Sequence, residues 1–351
     1  MFVYLFLLFL ALVNLIFVKS PKIKIPSLII VVFMFLLCGF RAETIGTDTG
    51  SYVDIVNGTK ANAEEKMEFQ LLLRLLVEIA RVTSLPFFFS LCAILTYFPL
   101  FIILNKSCGR FLPIALLVFI VSMQAYFIQS LNIMRQVMAT VFLLCSYYEI
   151  NKGNKILFVL WYILALLIHT ISLIILPFLF ISSYKFSFRT VLFIILSAIC
   201  FAFYFASGFG IETLLSHFSD IEYMNLYHFA YYENETEHYG VFGLIKLLIP
   251  CSLFCLCSYK LLKGHFYCRL YMWGVVILCL SAPWTIYALR LSMGLYATEL
   301  FIIPMLYKKL SNRQLLIPNV YVLFLIIYYL YTSFNLYMDD KLLVPYRFFF
   351  E

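Results

Sequence analysis

The sequence predicts an all-α, polytopic membrane protein, and three observations carry that prediction. Mean hydropathy is +0.98. Apolar runs approaching the ~20 residues that cross a bilayer recur along the whole chain. The short breaks between these runs alternate between basic and acidic or mixed. With 64% hydrophobic and only 12% charged residues, the chain holds more apolar side chains than a soluble interior takes up, since about 45–50% is ordinary there. A single transmembrane domain over residues 1–351 is therefore expected, with no soluble domain appended. The formal net charge of +7 reports topology first, so the expected partner is the lipid bilayer and not nucleic acid.

The run 1–18 lacks a basic leading region and a small-residue cleavage site, and reads as a retained membrane helix. Further crossings are read at 25–40, 85–104, 111–129, 131–148, 155–168, 170–184, 190–207, 241–259, 270–288, 291–307 and 315–336. The breaks at Lys19-Lys22-Lys24, Lys106-Arg110, Lys152-Lys155, Lys185-Arg189, Lys260-Lys263-Arg269 and Lys308-Lys309-Arg313 are basic, which assigns them to the cytoplasmic side. Asp48, Asp54, Glu64, Glu65 and the acids of 208–240 then face outward. Together these give about twelve transmembrane helices with both termini outside.

Two stretches need a choice. In 67–84, Gln70, Arg74, Glu78 and Arg81 share one helical stripe, so the segment reads as an amphipathic helix in the interface. In 155–184, His169 interrupts a long apolar run, which reads as a short helix pair meeting at a wet cavity. Making 67–84 a full span and 155–184 a single one would move Lys106, Arg110, Lys152 and Lys155 outside, against the charge bias. The largest outward loop is 208–240, aromatic and acidic, with Tyr231 and Tyr232 in it. No internal repeat is visible, which disfavours a transporter built on inverted repeats.

No cofactor or metal is expected. Cys251, Cys255 and Cys257 lie mid-helix without a neighbouring histidine, and read as small packing residues. Asp339-Asp340 and Asp220-Ile221-Glu222 are not embedded in apolar sequence and read as solvated loop charges.

The charges that do need a reason gather at the outer ends. Arg41 ends the second run and is followed by Gly46-Thr47-Asp48-Thr49 and Tyr52. Arg135 and Gln136 open a helix after Asn132, His169 sits at the turn of the short pair, Arg290 interrupts two apolar runs, and Arg347 follows Pro345-Tyr346. Four outer arginines run against the usual bias toward basic inner loops. Each has a plainer reading beside the functional one. Arg41 at a helix end suits a side chain snorkelling to headgroups, His169 a core imidazole on a carbonyl, and Asp48 a turn cap with Gly46. Glu68 and Glu299 read as pairing partners before catalysts. Arg135 and Arg290, set in apolar sequence, have the fewest plain explanations. As a group, fixed guanidinium forks on the outer side suit an anionic ligand such as a phosphate.

Three blocks resemble the EpsG-like family of Wzy-type polysaccharide polymerases. They are Phe40-Arg41 with Ile45-Gly46-Thr47-Asp48-Thr49 and Tyr52, then Leu131-Asn132-Ile133-Met134-Arg135-Gln136-Val137-Met138-Ala139, then Ala165-Leu166-Leu167-Ile168-His169-Thr170-Ile171-Ser172. Arg290 and Pro345-Tyr346 match more loosely. The resemblance implies a GT-C-like membrane glycosyltransferase architecture in the bacterial inner membrane, with its active site facing the periplasm. It implies transfer of a growing glycan from undecaprenyl diphosphate onto the non-reducing end of an undecaprenyl-diphosphate-linked repeat unit, as in O-antigen, lipopolysaccharide or exopolysaccharide assembly. A separate chain-length co-polymerase is an implied partner. On that reading Arg135 and Arg290, aided by Arg41 or Arg347, hold the diphosphate. Asp48 or His169 takes the acceptor proton, an imidazole being expected near its useful pKa. Tyr52, Asn132, Gln136, Tyr231 and Tyr232 meet the sugars. The alternatives are an O-antigen ligase using the same donor, and a lipid-linked oligosaccharide flippase or other transporter. A membrane-bound O-acyltransferase fits less well, because its histidine works from the cytoplasmic side.

Overall fold

The computed structural model describes residues 2–19, 24–46, 48–58, 70–206, 241–281, 285–311, 314–338 and 346–350. The loop 208–240 with Tyr231 and Tyr232, the pair Asp339-Asp340, and Thr47 lie outside the described residues. Among the described residues the fold is all-helical, and the nearest thing to a strand is one antiparallel bridge between Arg41 and Phe348.

The helices are α1 (Phe2–Asn14), α2 (Ile25–Gly39), α3 (Thr49–Asn57), α4 (Leu71–Val82), α5 (Leu85–Cys108), α6 (Leu112–Val121), α7 (Tyr126–Asn132), α8 (Met134–Asn151), α9 (Lys155–Ile168), α10 (Ser172–Ile181), α11 (Phe188–Ala206), α12 (Val241–Leu261), α13 (Phe266–Leu280), α14 (Thr285–Tyr296), α15 (Glu299–Lys309) and α16 (Leu316–Met338). Local chemistry accounts for several starts. Proline occupies the first turn of α2, α5 and α6, where a missing N–H costs nothing. Ser84 caps α5 by accepting from the Phe87 amide at 3.4 Å, and Asn154 caps α9 by accepting from the Leu157 amide at 3.3 Å.

The helical stretches Leu85–Val121 and Leu316–Ser333 are each long and apolar enough to cross a bilayer. Shorter apolar helices accompany them, among them Ile25–Gly39, Lys155–Ile168 and Phe266–Leu280. On α16, Leu316, Val320, Leu323 and Ile327 are exposed at 66%, 57%, 56% and 58%. Spaced four, three and four residues apart, they form one stripe, and a continuous apolar stripe left bare suits lipid and not water. In contrast, all ten residues of α6 are buried, so it is the central helix of the bundle.

The structure differs from the sequence expectation at three expected crossings. One of them, 270–288, is divided between α13, ending at Leu280, and α14, starting at Thr285. The run 111–129 is broken: α6 stops at Val121, Ser122–Ala125 bridges it, and α7 follows, with Ala125 at φ +45°. The run 291–307 is also broken, at Ala297 and Thr298, and its first part begins earlier, at Thr285. Arg290 therefore sits inside a helix and does not interrupt one. The breaks at 122–125 and 297–298 hold polar side chains that bond the interrupted backbone: the Ser122 hydroxyl accepts the Gln124 amide at 3.2 Å, and the Thr298 hydroxyl donates to the Leu295 carbonyl at 2.8 Å.

Helix direction sets where the site lies. α8 starts beside Arg135 and ends at Lys152, and α9 starts at Lys155 and returns to His169. At 1.5 Å per residue the two are of similar length, so His169 comes back to the level of Arg135, and the lysines lie at the opposite end. The segment 346–350 closes on the end of α2: the Ala42 amide donates to the Arg347 carbonyl at 3.0 Å, and the Phe349 amide to the Phe40 carbonyl at 3.1 Å.

Candidate functional site

Four segments far apart in sequence meet at one end of the bundle: the loop 41–49 leading into α3, the α7–α8 junction, the α9–α10 turn and the middle of α14. Gly46 brings the first two together. It has φ +96°, and a Cβ placed on it would lie 2.2 Å from the Leu131 carbonyl oxygen and 2.9 Å from Asn132 Oδ1. Only glycine allows so close an approach. The Thr49 hydroxyl adds bonds to the carbonyls of Ile45 and Leu131. Asp48 is thereby set at the start of α3, where it occupies the cap position without a side-chain capping bond, leaving its carboxylate for another partner.

That partner is Arg290, whose Nη2 lies 3.4 Å from Asp48 Oδ2, both side chains being 38% exposed. Arg290 is held from behind, because Gln136 Nε2 donates to the Arg290 carbonyl. Arg135 donates through Nη1 to Gln70 Oε1 at 3.1 Å, and its guanidinium lies 5.4 Å from the centre of the Tyr52 ring. Its Nε is buried and has no partner among the described residues. His169 ends α9 in an extended conformation and accepts the Ile171 amide on Nδ1 at 3.2 Å. The charges of both Arg135 and Arg290 act on it.

The electrostatics correct one expectation. Burial, followed by the charges of Arg135 and Arg290, pushes the His169 imidazole down to about 3. It is therefore neutral at working pH and not poised near neutrality. With Nδ1 accepting an amide proton, the neutral ring carries its own proton on Nε2 and offers a donor there. Because the folded value lies below the unfolded one, the unfolded chain binds the extra proton: stability is intact above pH 6.5 and is lost as pH falls from 6.5 toward 3. The expected result is a Tm for the wild type that falls, relative to His169→Asn, between pH 6.5 and 4.5. The slope is at most about 1.4 kcal/mol per pH unit. Parallel melting curves across that range would show that His169 is not buried as described.

Asp48, Tyr52, Asn132, Arg135, Gln136, His169 and Arg290 are thus brought to one place. Arg41 and Arg347 are not. Arg41 is fully buried; Nη1 donates to the Ser130 carbonyl at 3.2 Å and to Cys38 Sγ at 3.4 Å, and the guanidinium sits 4.3 Å from the Phe89 ring centre. Its charge braces the α7 backbone from behind. Arg347 is exposed and, with Arg41, Leu85, Phe89 and Phe348, lines a cavity of about 290 Å³. Gln70, which sequence reading used only as a marker of amphipathicity, is the partner of Arg135. The helix it precedes, α4, also reaches back to α3: Arg81 donates to the carbonyls of Ile55 at 3.1 Å and Val56 at 3.3 Å. No group of three or more His, Cys, Asp or Glu side chains suited to a metal occurs among the described residues.

Formally the cluster sets two guanidinium groups against one carboxylate, inside a bundle whose outer helices carry bare apolar stripes. Fold and site together define a helical membrane protein with an electropositive cluster at its helix ends. The sequence pattern of the EpsG family matches residues 24–348, and the chain belongs to that family. Family and apolar helices together make it a membrane protein with an exopolysaccharide-polymerase type of function. No curated protein and no solved structure matches the chain.

Proposed function

We propose that the chain is a polysaccharide polymerase that moves a growing glycan from undecaprenyl diphosphate onto the non-reducing end of a lipid-linked repeat unit. It does so at the periplasmic face of the bacterial inner membrane, within about twelve crossings and a GT-C-like architecture. The observation that carries the reading is the convergence of Arg135 and Arg290, from separate helices, on His169 and Asp48. A glycosyl diphosphate leaves as a polyanion, and two fixed guanidinium forks at that position stabilise the charge as it develops.

In the proposed step an acceptor hydroxyl attacks the anomeric carbon of the donor sugar. The bond from that carbon to the diphosphate oxygen breaks, and the electron pair leaves with undecaprenyl diphosphate. Asp48 takes the hydroxyl proton and passes it to solvent. The tautomer of His169 favours this division of labour, because Nε2–H is a donor suited to a phosphate or hydroxyl oxygen. Binding of the diphosphate also offsets the two positive charges that act on the imidazole. Asn132 offers an amide for the sugar, whereas Tyr52 and Gln136, which sequence alone assigns to the sugar, are buried and instead support Arg135 and Arg290. Tyr231 and Tyr232 of the 208–240 loop are proposed as further sugar contacts. A separate co-polymerase would set chain length.

The test is polymer formation by the purified protein from a synthetic lipid-diphosphate repeat unit, with and without a divalent-metal chelator. Polymer at an undiminished rate in chelator is expected. Complete loss, restored by a divalent cation, would replace the arginine-based account with a metal-based one. Ligation of preformed polymer to a lipid A-core acceptor without any polymerisation would favour the ligase.

A further inference from the structure

A second polar cluster, made of other side chains than the Asp48–Arg290 pair, joins the two helix breaks. Glu299 begins α15 and is fully buried. Its described partners are hydroxyls: Ser122 donates to Oε1, and Tyr321 donates to Oε2 at 3.3 Å. Tyr321 in turn shares hydroxyl contacts with Tyr296 at 2.8 Å and Tyr271 at 3.0 Å. Beside it, Gln124 Nε2 donates to the Ser292 hydroxyl at 2.9 Å. Ser122 and Gln124 both belong to the break between α6 and α7, while Ser292 and Glu299 flank the break between α14 and α15.

A carboxyl at a helix start is favoured by the helix dipole, but full burial in an apolar bundle is costly unless the group has a task. The chain on either side of the joint leads to the candidate site. After the first break, α7 runs into Arg135; two residues before Ser292 lies Arg290. Further ties hold α14 in register on α8. Gln136 bonds the Arg290 carbonyl, Tyr147 bonds the Gly294 carbonyl at 3.2 Å, and Gly294 has no side chain to push Leu143 away.

We propose that Glu299, with Ser122, Gln124 and Ser292, forms a positioning joint that sets the spacing of Arg135 and Arg290. This rests on the reading of those arginines as the diphosphate-binding pair. Glu299 itself touches no substrate; it acts by fixing α14 against the α6–α7 break. Misplacement of a catalytic group by about 1 Å can cost 10²-fold, so a loosened joint lowers kcat with little change in KM.

A double-mutant cycle tests this, with rates per monodisperse protein in detergent and the lipid-diphosphate repeat unit as substrate. Glu299→Ala is expected to lower kcat about tenfold in the wild-type background. In an Arg290→Lys background, where the fork is already gone, it should lower it less than twofold. Glu299→Gln keeps an acceptor oxygen for Ser122 and Tyr321 and should retain most of the activity. Equal tenfold losses in both backgrounds would assign Glu299 a general structural role and overturn the joint; so would a Glu299→Gln variant as damaged as Glu299→Ala. If Glu299→Ala does not fold, Ser292→Ala removes the Gln124 tie with little change of volume, and the same cycle applies to it. An Arg290→Lys variant with unchanged kcat and KM would instead remove the reading on which the joint rests.

Discussion

Replacing Arg135 with alanine is expected to lower kcat/KM for polymer formation by about 10²–10³-fold, the range seen when one preorganised donor to a developing anion is removed. The size follows from where Arg135 sits. It is part-buried, so its charge acts in a poorly screened environment, and Gln70 and the Tyr52 ring fix its orientation. On the proposed reading, the part of the guanidinium not held by Gln70 meets the departing diphosphate. Arg135→Lys should recover little, because an ammonium cannot make two parallel bonds or lie flat over Tyr52. Arg290→Ala should fall in the same range, and it also removes the partner of Asp48. The double variant should lose much less than the product of the single losses, as residues acting on one group do. The measurement is polysaccharide laddering in a deletion strain complemented with each variant, followed by kinetics on purified protein. Full-length chains from Arg135→Ala at normal expression would sink the phosphate-binding role.

The helical segments were legible because an apolar run between charged breaks is a local signal, and α2, α9 and α16 fall close to the runs read from hydropathy. Arg135 and His169 were legible for a related reason: polar groups interrupting apolar sequence stand out without any knowledge of their neighbours. Arg41 shows the limit. An arginine at a helix end looks the same in sequence whether it meets a headgroup or, as here, the carbonyl of Ser130, which lies far along the chain. Gln70 was hidden in the same way, since its partner is Arg135 on another helix. The two helix breaks were invisible individually, because Ser122 and Gln124 make up too small a polar interruption to offset the apolar run around them. The bond from Ser122 to Glu299 joins the two, and it is a tertiary contact. His169 falls at its expected turn, but the burial that lowers its proton affinity, and the two arginines that add to it, arrive through tertiary structure.

Gly46 and Gly50, four residues apart, should respond in opposite ways to the same substitution. Gly46→Ala puts a methyl 2.2 Å from the Leu131 carbonyl oxygen and 2.9 Å from the Thr49 hydroxyl oxygen, at φ +96°. Neither backbone can yield without moving the other, because Thr49 already bonds Ile45 and Leu131. The overpacking alone costs about 1–3 kcal/mol, and the unfavourable φ adds about 1–2 kcal/mol. The least costly relief is for the 43–49 loop to lift away from the α7–α8 junction, which takes Asp48 from Arg290 and Tyr52 from Arg135. A displacement near 1 Å suffices for about a 10²-fold fall in kcat, while the helical bundle, built without that loop, should still fold. Gly50→Ala meets nothing within 4 Å and lies in the first turn of α3 at an ordinary φ. It should raise stability slightly, by about 0.4–1 kcal/mol through the unfolded chain, and leave kcat unchanged. Circular dichroism melts and initial rates of the two purified variants decide the matter. Equal activity from both would mean that the Gly46 contact does not hold Asp48 in the site, and Asp48 would then lose its claim to the acceptor proton.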